Sequence, residues 1–295
     1  LGTTARGEDK TVAEWRFDKA GDFLGWENFG MIADTAVRDG SLHGRATGSD
    51  PIIVGPLFEI AADPAQYVEF CIKGTAPAVA ELYWTETQEG PYGGFSAEKH
   101  RMFHTEGDGQ LRIYRVWPFW QAAKKIIRLR FDPPNAGQFD IRWIRIAKQQ
   151  DAAPSSAKAW GHDELRSQWR NSRDAEAEGQ GPIVLSPRLA IRAADHPFVC
   201  VRMATDRPGS GRLFCVSSSQ FGWESVSFSL RPDGRLHSYN IPTGSLKHWR
   251  DEILMLGLQL PGAKGGTRVE SVEVASEPRG PAELEVAWFG PSEGI

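Results

Sequence analysis

The stretch DPIIVGPLFEIAADPAQYVEFCIK (residues 50–73) occurs a second time, in altered form, as GPIVLSPRLAIRAADHPFVCVRMA (residues 181–204). The two stretches are 131 positions apart, and six of their 24 aligned residues are identical. The similarity continues downstream in the same order, since the pattern Asp-Gly-x-Leu-x-x-Tyr begins at both 108 and 233. Collinear matches of this kind indicate that one domain has been duplicated.

Each copy has the residue pattern of short β-strands. In YVEFCIKG (67–74), the apolar residues Val68, Phe70 and Ile72 alternate with Glu69 and Cys71, which is the period of two expected for a strand with one buried face. Similar segments recur at intervals of about a dozen residues with Gly- and Pro-containing turns between them, as is typical of antiparallel sandwiches. We therefore predict an all-β fold with two tandem homologous β-sandwich (jelly-roll) domains.

The duplication also sets the expected domain boundaries. Module 1 covers 12–148, a polar linker that contains proline covers 149–159, and module 2 covers 160–276. The segment HDELRSQWRNSRDAEAE (162–178) has acidic residues in its first turn and is the one predicted helix. The remaining residues, 277–295, are expected to begin a further, truncated domain.

Composition excludes several classes of protein. The 295 residues are 40% hydrophobic and 24% charged, which is ordinary for a globular chain. A net charge of −4 does not favour binding to nucleic acid, and no apolar run is long enough to span a membrane. Three cysteines are too few for a disulfide framework. The chain begins with Leu1, which is expected either of a secreted protein that has lost its signal peptide or of a piece of a longer chain.

The two copies differ most in one connection and in the strand before it. The segment ETQEGPYGGFSAEKH (86–100) makes this connection six residues longer in module 1 than in module 2. Loops at the rim of a rigid sandwich often carry recognition residues. If the strands around Phe70 and Tyr83 form a hairpin, these two residues face each other on the core side, and Glu69 faces Trp84 on the outer side.

An outer face with aromatic rings and carboxylates suits a sugar, because the rings cover C–H groups while the carboxylates bind hydroxyls. A register slip of one residue would exchange the two faces, and the long loop could instead cover Trp84 as simple packing. The predicted partner is a polysaccharide or glycan. The predicted ligand-binding residues are Glu69, Trp84, Glu86, Tyr92 and Phe95.

The same hairpin reasoning, applied to module 2, places Cys200 directly opposite Cys215. We therefore expect the two thiols to lie close together, with a disulfide as an alternative in a secreted protein. Two apparent motifs carry no chemistry. The G-x-S-x-G pattern at 290–294 lacks a following helix and histidine, and His100 and His104 would lie about 13 Å apart on one strand, too far to share a zinc ion.

Module 1 resembles a known group of domains through five short motifs: EWRFDKAGDFLGW (14–26), GSDPIIVGPLFEI (48–60), ELYWT (81–85), IIRLRFDP (126–133) and FDIRWIRI (139–146). These motifs look like those of the non-catalytic, carbohydrate-binding-module-like β-sandwich domains of large secreted bacterial carbohydrate-active proteins. The resemblance implies a secreted, cell-surface or periplasmic protein with a glycan-degrading domain further along the polypeptide. It also implies a structural Ca²⁺ near Asp18 and Asp140.

Three functions follow as expectations. The first is a non-catalytic carbohydrate-binding tandem that serves a catalytic domain. The second is an architectural pair that spaces or docks other domains and binds no ligand. The third is a jelly-roll polysaccharide lyase or hydrolase, for which Tyr83, Arg101 and His104 are the candidate residues.

Overall fold

The computed structural model describes residues 9–150, 154–175, 181–261 and 266–280. It divides into two compact units: unit 1 contains the chain up to residue 150 together with 174–176, and unit 2 contains 151–173 and the chain from 177 onward. Both the strand expected in the tail after residue 280 and the G-x-S-x-G pattern lie outside the described residues.

Over residues 9–150, unit 1 is built from strands, apart from one short 3-10 turn at Pro91–Gly94. The strands are Lys10–Arg16 (β1), Glu27–Gly30 (β2), Ile32–Arg38 (β3), Ser41–Ala46 (β4), Ile52–Val54 (β5), Ile60–Ala61 (β6), Gln66–Gly74 (β7), Ala78–Thr85 (β8), His100–Thr105 (β9), Arg112–Val116 (β10), Lys125–Ile126 (β11), Arg128–Asp132 (β12) and Gln138–Lys148 (β13).

All but β6 and β11, which pair with each other, form two antiparallel sheets around one core. Sheet A has the order β10-β7-β13-β4-β3, with β1 also paired to β13, and sheet B has the order β2-β5-β12-β8-β9. The core lies between the sheets, where Phe70 of sheet A stacks on Phe131 and Phe103 of sheet B with ring centroids 4.3 and 5.5 Å apart. Such offset ring contacts add to the free energy gained from burying the apolar surface.

Unit 2 contains the helix and the remaining strands. They are Ala159–Gly161 (β14), His162–Gln168 (α1), Arg170–Asn171 (β15), Ile183–Leu185 (β16), Ile191–Arg192 (β17), Phe198–Thr205 (β18), Ser210–Ser217 (β19), Glu224–Ser229 (β20), Leu236–Pro242 (β21), Glu252–Gln259 (β22) and Thr267–Ala275 (β23). The helix begins where the sequence predicted it but ends far earlier, because Trp169 has extended dihedrals and the next residues pair with β16.

The strand orders of the two units correspond throughout. In unit 2, sheet C has the order β14-β23-β18-β21 and sheet D has the order β15-β16-β22-β19-β20. These orders match β1-β13-β7-β10 of sheet A and the whole of sheet B, while β3 and β4 extend sheet A alone. The short strand β6 pairs with β11 in unit 1, whereas β17 pairs with β22 in unit 2. The predicted all-β class with two tandem homologous β-sandwiches is therefore confirmed.

The predicted hairpin between β7 and β8 is wrong. Strand β7 pairs with β10 and β13 in sheet A, whereas β8 pairs with β9 and β12 in sheet B. The short connection between them crosses from one sheet to the other. As a result the even-numbered residues of both strands, from Val68 to Trp84, point into the same core.

The expected opposition of Cys200 and Cys215 is wrong for the same reason. Cys200 lies on β18 of sheet C next to Asn240, whose side-chain oxygen accepts a 3.0 Å hydrogen bond from its thiol. Cys215 lies on β19 of sheet D within the apolar core. Both are free thiols, as is Cys71.

No helix among the described residues is long and apolar enough to cross a membrane.

Candidate functional site

Trp84, the centre of the predicted binding face, is a core residue. Only 1% of its surface is exposed, and its ring meets that of Trp120 edge to face at a centroid distance of 6.0 Å. The prediction that it lies on the outer face is therefore wrong. The period of two was read correctly, but the strand faces the other way because β8 belongs to the opposite sheet from β7.

Glu69 lies on the outer side of sheet A, as predicted, yet it is not available to a ligand. Arg115 and Arg145, on the two neighbouring strands, each bond one of its carboxylate oxygens, with N–O distances of 2.8 and 2.7 Å. Only 3% of the residue is exposed. A carboxylate enclosed in this way is stabilised by its two guanidinium partners, and its role is to hold neighbouring strands of sheet A together.

The long connection between β8 and β9 brings together the other three predicted residues. Tyr92 is 85% exposed, whereas Phe95 is buried and anchors the loop. Glu86 is half-buried and accepts a 2.7 Å hydrogen bond from Lys99. Gly94 has a φ of +86°, and a Cβ there would lie 2.5 Å from the Thr85 hydroxyl, so only glycine lets the loop approach the strand this closely.

The outer face of sheet B continues this surface through Tyr83, which sequence reasoning had placed in the core. Tyr83 lies opposite Arg130 on β12 and His100 on β9. The Arg130 guanidinium carbon lies 4.6 Å from the centre of the Tyr83 ring, and the His100 ring stacks on it at 5.1 Å. A cation and a second ring on its two sides hold the tyrosine in one orientation.

Two carboxylates complete this network. The Tyr83 hydroxyl donates a 2.7 Å hydrogen bond to Glu81, and Arg130 donates two to Asp132, at 2.8 and 2.6 Å. Burial, and then the bond to Glu81, raise the pKa of Tyr83, so the phenol keeps its proton at neutral pH. Burial raises the pKa of Asp132 from 3.8 to about 6, against the opposing effect of Arg130.

Two clefts meet at the exposed ring of Tyr92. One, of about 160 Å³, lies between Tyr92 and the pair Tyr83 and Arg130. The other, of about 530 Å³, lies on the far side, where Glu89 and Lys99 form its wall. Tyr92, Phe95, Ser96 and Ala97 line both. Together they form a groove, which we call the Tyr92 groove.

Unit 2 lacks this arrangement. The strand ladder places Phe214 opposite Gly257, where unit 1 has Tyr83 opposite Arg130. Phe214 is buried, and the ring of Trp223 packs against it at 4.5 Å. The connection from β19 to β20 is also shorter than its counterpart in unit 1. In unit 2 the surface that corresponds to the Tyr92 groove is therefore covered by the contact between Trp223 and Phe214.

The expected calcium ligands do not fit a calcium site. Asp18 is exposed and bound by Arg16 at 3.3 Å. Asp140 has His43 at 2.6 Å from one oxygen and Lys73 at 3.1 Å from the other. Ca²⁺ requires six to eight oxygen ligands, and no group of three or more acidic, histidine or cysteine side chains converges among the described residues.

The residues proposed for a lyase or hydrolase do not converge either. Tyr83 and His104 lie on the outer face of sheet B, four positions apart along the ladder. Arg101 is buried, and its guanidinium lies 3.6 Å from the Asp174 carboxylate and donates to the Trp117 carbonyl at 3.1 Å. The three side chains therefore form no common reaction centre.

No family model matches the sequence, and no curated protein matches it. Among solved structures, the chain is similar to the apo CBM1 of BiXyn10A, with 15% identity and a TM-score of 0.32, over 47% of this chain and 99% of that one. It is also similar to the second N-terminal cellulose-binding domain of Cellulomonas fimi β-1,4-glucanase C, with 14% identity and a TM-score of 0.35, over 49% of this chain and 97% of that one.

A third similar structure is itself a tandem, the N-terminal CBM22-1–CBM22-2 domain of Paenibacillus barcinonensis Xyn10C. It has 11% identity and a TM-score of 0.32, over 92% of this chain and 99% of that one. Sequence identities and TM-scores this low do not bear on the ligand or activity of this chain, which depend on its own residues.

Proposed function

We propose that unit 1 is a non-catalytic glycan-binding module and that the sugar lies in the Tyr92 groove. One observation carries this proposal: Tyr92 exposes 85% of its surface at the junction of two clefts, and a second tyrosine, Tyr83, lines one of them. A tyrosine ring can cover the C–H face of a sugar while its hydroxyl bonds the edge.

The loop that carries Tyr92 is held in place before any ligand binds. The Thr85 hydroxyl donates to the Thr87 carbonyl at 2.7 Å and accepts from the Thr87 N–H at 3.1 Å, and the Thr87 hydroxyl accepts from the Glu89 N–H at 3.0 Å. The buried Phe95 fixes its other end. A preorganised loop loses little conformational entropy on binding, which favours affinity.

Polar groups along the groove supply the hydrogen-bond partners that sugar hydroxyls need. Ser96 lines both clefts with an exposed side chain, Arg130 lines the smaller cleft, and Lys99 lines the larger one. Because these groups stand beside aromatic rings, they can fix the orientation of a sugar that the rings hold.

For unit 2 we propose a structural role. Its equivalent surface is closed by Trp223 on Phe214, and the arginine of unit 1 is replaced by Gly257. This asymmetry supports one binding copy and one supporting copy.

We further propose that the protein is secreted and that a glycan-degrading domain elsewhere in the polypeptide is its partner. The motif resemblance of module 1 supports this placement. Proteomic analysis of the culture medium against the cell fraction tests it, and recovery of the protein only from the cytoplasm would contradict it.

A glycan array probed with the purified chain tests the binding function directly. We expect retention on at least one class of glycan, and a loss of about two- to twelvefold in affinity for Tyr92→Ala, because stacking of a ring is worth about 0.5–1.5 kcal/mol. Leu57→Ala, which removes another exposed apolar side chain, serves as the matched control and should leave affinity unchanged.

The array also separates the alternatives. Absence of binding to every glycan would favour the architectural role. Release of shorter sugars from a bound polysaccharide would favour an enzyme.

A further inference from the structure

The cations that line the Tyr92 groove are already engaged by the protein's own carboxylates. Lys99 donates to Glu86 at 2.7 Å. Arg130 donates two short hydrogen bonds to Asp132 and lies 3.4 Å from Asp50. Each cation keeps N–H groups that can bond a neutral hydroxyl, but its charge is already balanced, so full ion pairing with an anionic sugar would require displacement of one of these acids.

Displacement would be costly at Arg130 in particular. The Asp132 side chain is almost fully buried, so loss of Arg130 would leave a desolvated carboxylate without its partner. Breaking one side of a buried ion pair is strongly unfavourable. The groove therefore lacks a cation that a uronate or sulfate could use.

Negative charge, by contrast, remains uncompensated there. Glu89 lines the larger cleft with an exposed side chain, and no side chain in the described part of the chain bonds its carboxylate. In the part of the chain that the structure describes, the Glu81 carboxylate is bonded by the neutral hydroxyl of Tyr83 and by no cation. Five carboxylates thus surround two cations, with the exposed ring of Tyr92 between the two clefts.

We infer that the Tyr92 groove selects glycans that carry free amino groups, of the glucosamine type, over glycans that carry carboxylates or sulfates. This inference rests on the proposed glycan-binding function. A sugar ammonium group can approach Glu89 and the face of Tyr92 at once, gaining an ion pair and a cation–π contact, and no existing bond has to break. Electrostatic repulsion between the uncompensated carboxylates of the groove and an anionic glycan adds to this selectivity.

The test compares two oligosaccharides with the same backbone, the hexamers of glucosamine and of N-acetylglucosamine, by isothermal titration of the full chain in low-salt buffer at neutral pH, above the pKa of Asp132. We expect the amino form to bind about two- to fivefold more tightly for each ammonium in contact, with the difference shrinking as salt is added. Polygalacturonate should be the weakest ligand.

Glu89→Gln should reduce the preference towards parity, because it should lower the affinity for the amino hexamer more than the affinity for the N-acetylated hexamer. Glu98→Gln, which neutralises an exposed carboxylate on the same loop outside the lining, is the matched control and should retain the preference.

Two results would overturn the selectivity: equal or tighter binding of the N-acetylated hexamer, or tightest binding of polygalacturonate. If a neutral glycan binds in a manner that Tyr92→Ala abolishes, without a preference for amines, this inference fails and the proposed function stands. If no glycan binds at all, both fail.

Discussion

Two neighbouring tryptophans in the core of unit 1 should respond differently to the same substitution. Trp84 and Trp120 are both fully buried and contact each other edge to face. The indole N–H of Trp120 donates a 2.6 Å hydrogen bond to Gln66, whereas that of Trp84 has no hydrogen-bond partner among the described residues. Replacement by phenylalanine removes the N–H in both cases but breaks a hydrogen bond in only one.

The magnitudes follow from this difference. Each replacement removes buried ring atoms and leaves a small cavity, at a cost of about 1–2 kcal/mol. Trp120→Phe additionally loses one hydrogen bond, worth about 1 kcal/mol, while Trp84→Phe removes a buried donor that had no partner. We therefore expect Trp120→Phe to lower the free energy of unfolding by about 1 kcal/mol more than Trp84→Phe.

Urea denaturation of the full chain, followed by circular dichroism, measures this difference. Trp84→Ala, which should cost about 3–5 kcal/mol, identifies the transition that belongs to unit 1. The account is refuted if Trp84→Ala leaves every transition in place, as an exposed sugar-binding tryptophan would, or if Trp84→Phe is the more destabilising of the two phenylalanine variants.

Three further predictions concern other buried groups. Glu69→Ala should lower the free energy of unfolding of unit 1 by about 3 kcal/mol, because two arginines lose their shared carboxylate, and a loss below about 1 kcal/mol in urea denaturation would contradict this. The carboxyl carbon of Asp132 should titrate in NMR with a pKa of about 6. Between about pH 4 and 6 the native state then holds a proton that the unfolded chain has lost, so this group makes the free energy of unfolding fall as the pH rises through that range. Asp132→Asn should flatten this pH dependence. Cys200 and Cys215 should each react with a thiol reagent only after unfolding, and mass spectrometry that finds them joined would contradict their placement in different sheets.

Apolar alternation and internal similarity were enough to predict the fold class from sequence. The aligned stretches at 50–73 and 181–204 form equivalent strands in the two units, and Tyr114 and Tyr239, which end the shared Asp-Gly-x-Leu-x-x-Tyr pattern, are buried in both. Apolar alternation lies within one strand and the similarity recurs in both units, so both signals can be recognised without knowing which strands pair.

Strand pairing itself could not be read from the sequence. The short connection between β7 and β8 suits a hairpin as well as a crossing between sheets, and the choice reverses the face on which Tyr83 and Trp84 lie. Both residues are aromatic, so composition does not distinguish the buried one from the surface one. The loop residue Tyr92 could be singled out because its segment has no counterpart in module 2, and its ring is exposed; its role in binding stays a prediction.

Arg130 was missed for a different reason. Its contacts depend on Asp132, two positions along the same face, and on Tyr83 of the adjacent strand, and strand pairing is what brings Tyr83 beside it. The signal that could have found it is the alternation Arg128, Arg130, Asp132 on β12, which places these charges on one face opposite the buried Leu129 and Phe131.

Hydrogen–deuterium exchange of the full chain, with and without a glycan that it binds, tests the location of the site most directly. We predict that exchange slows on addition of the glycan in the segment 81–100 and in β12, and stays unchanged in β19, β20 and β22 of unit 2. Slowing confined to unit 2, or to the outer face of sheet A around Glu69, would contradict a site in the Tyr92 groove.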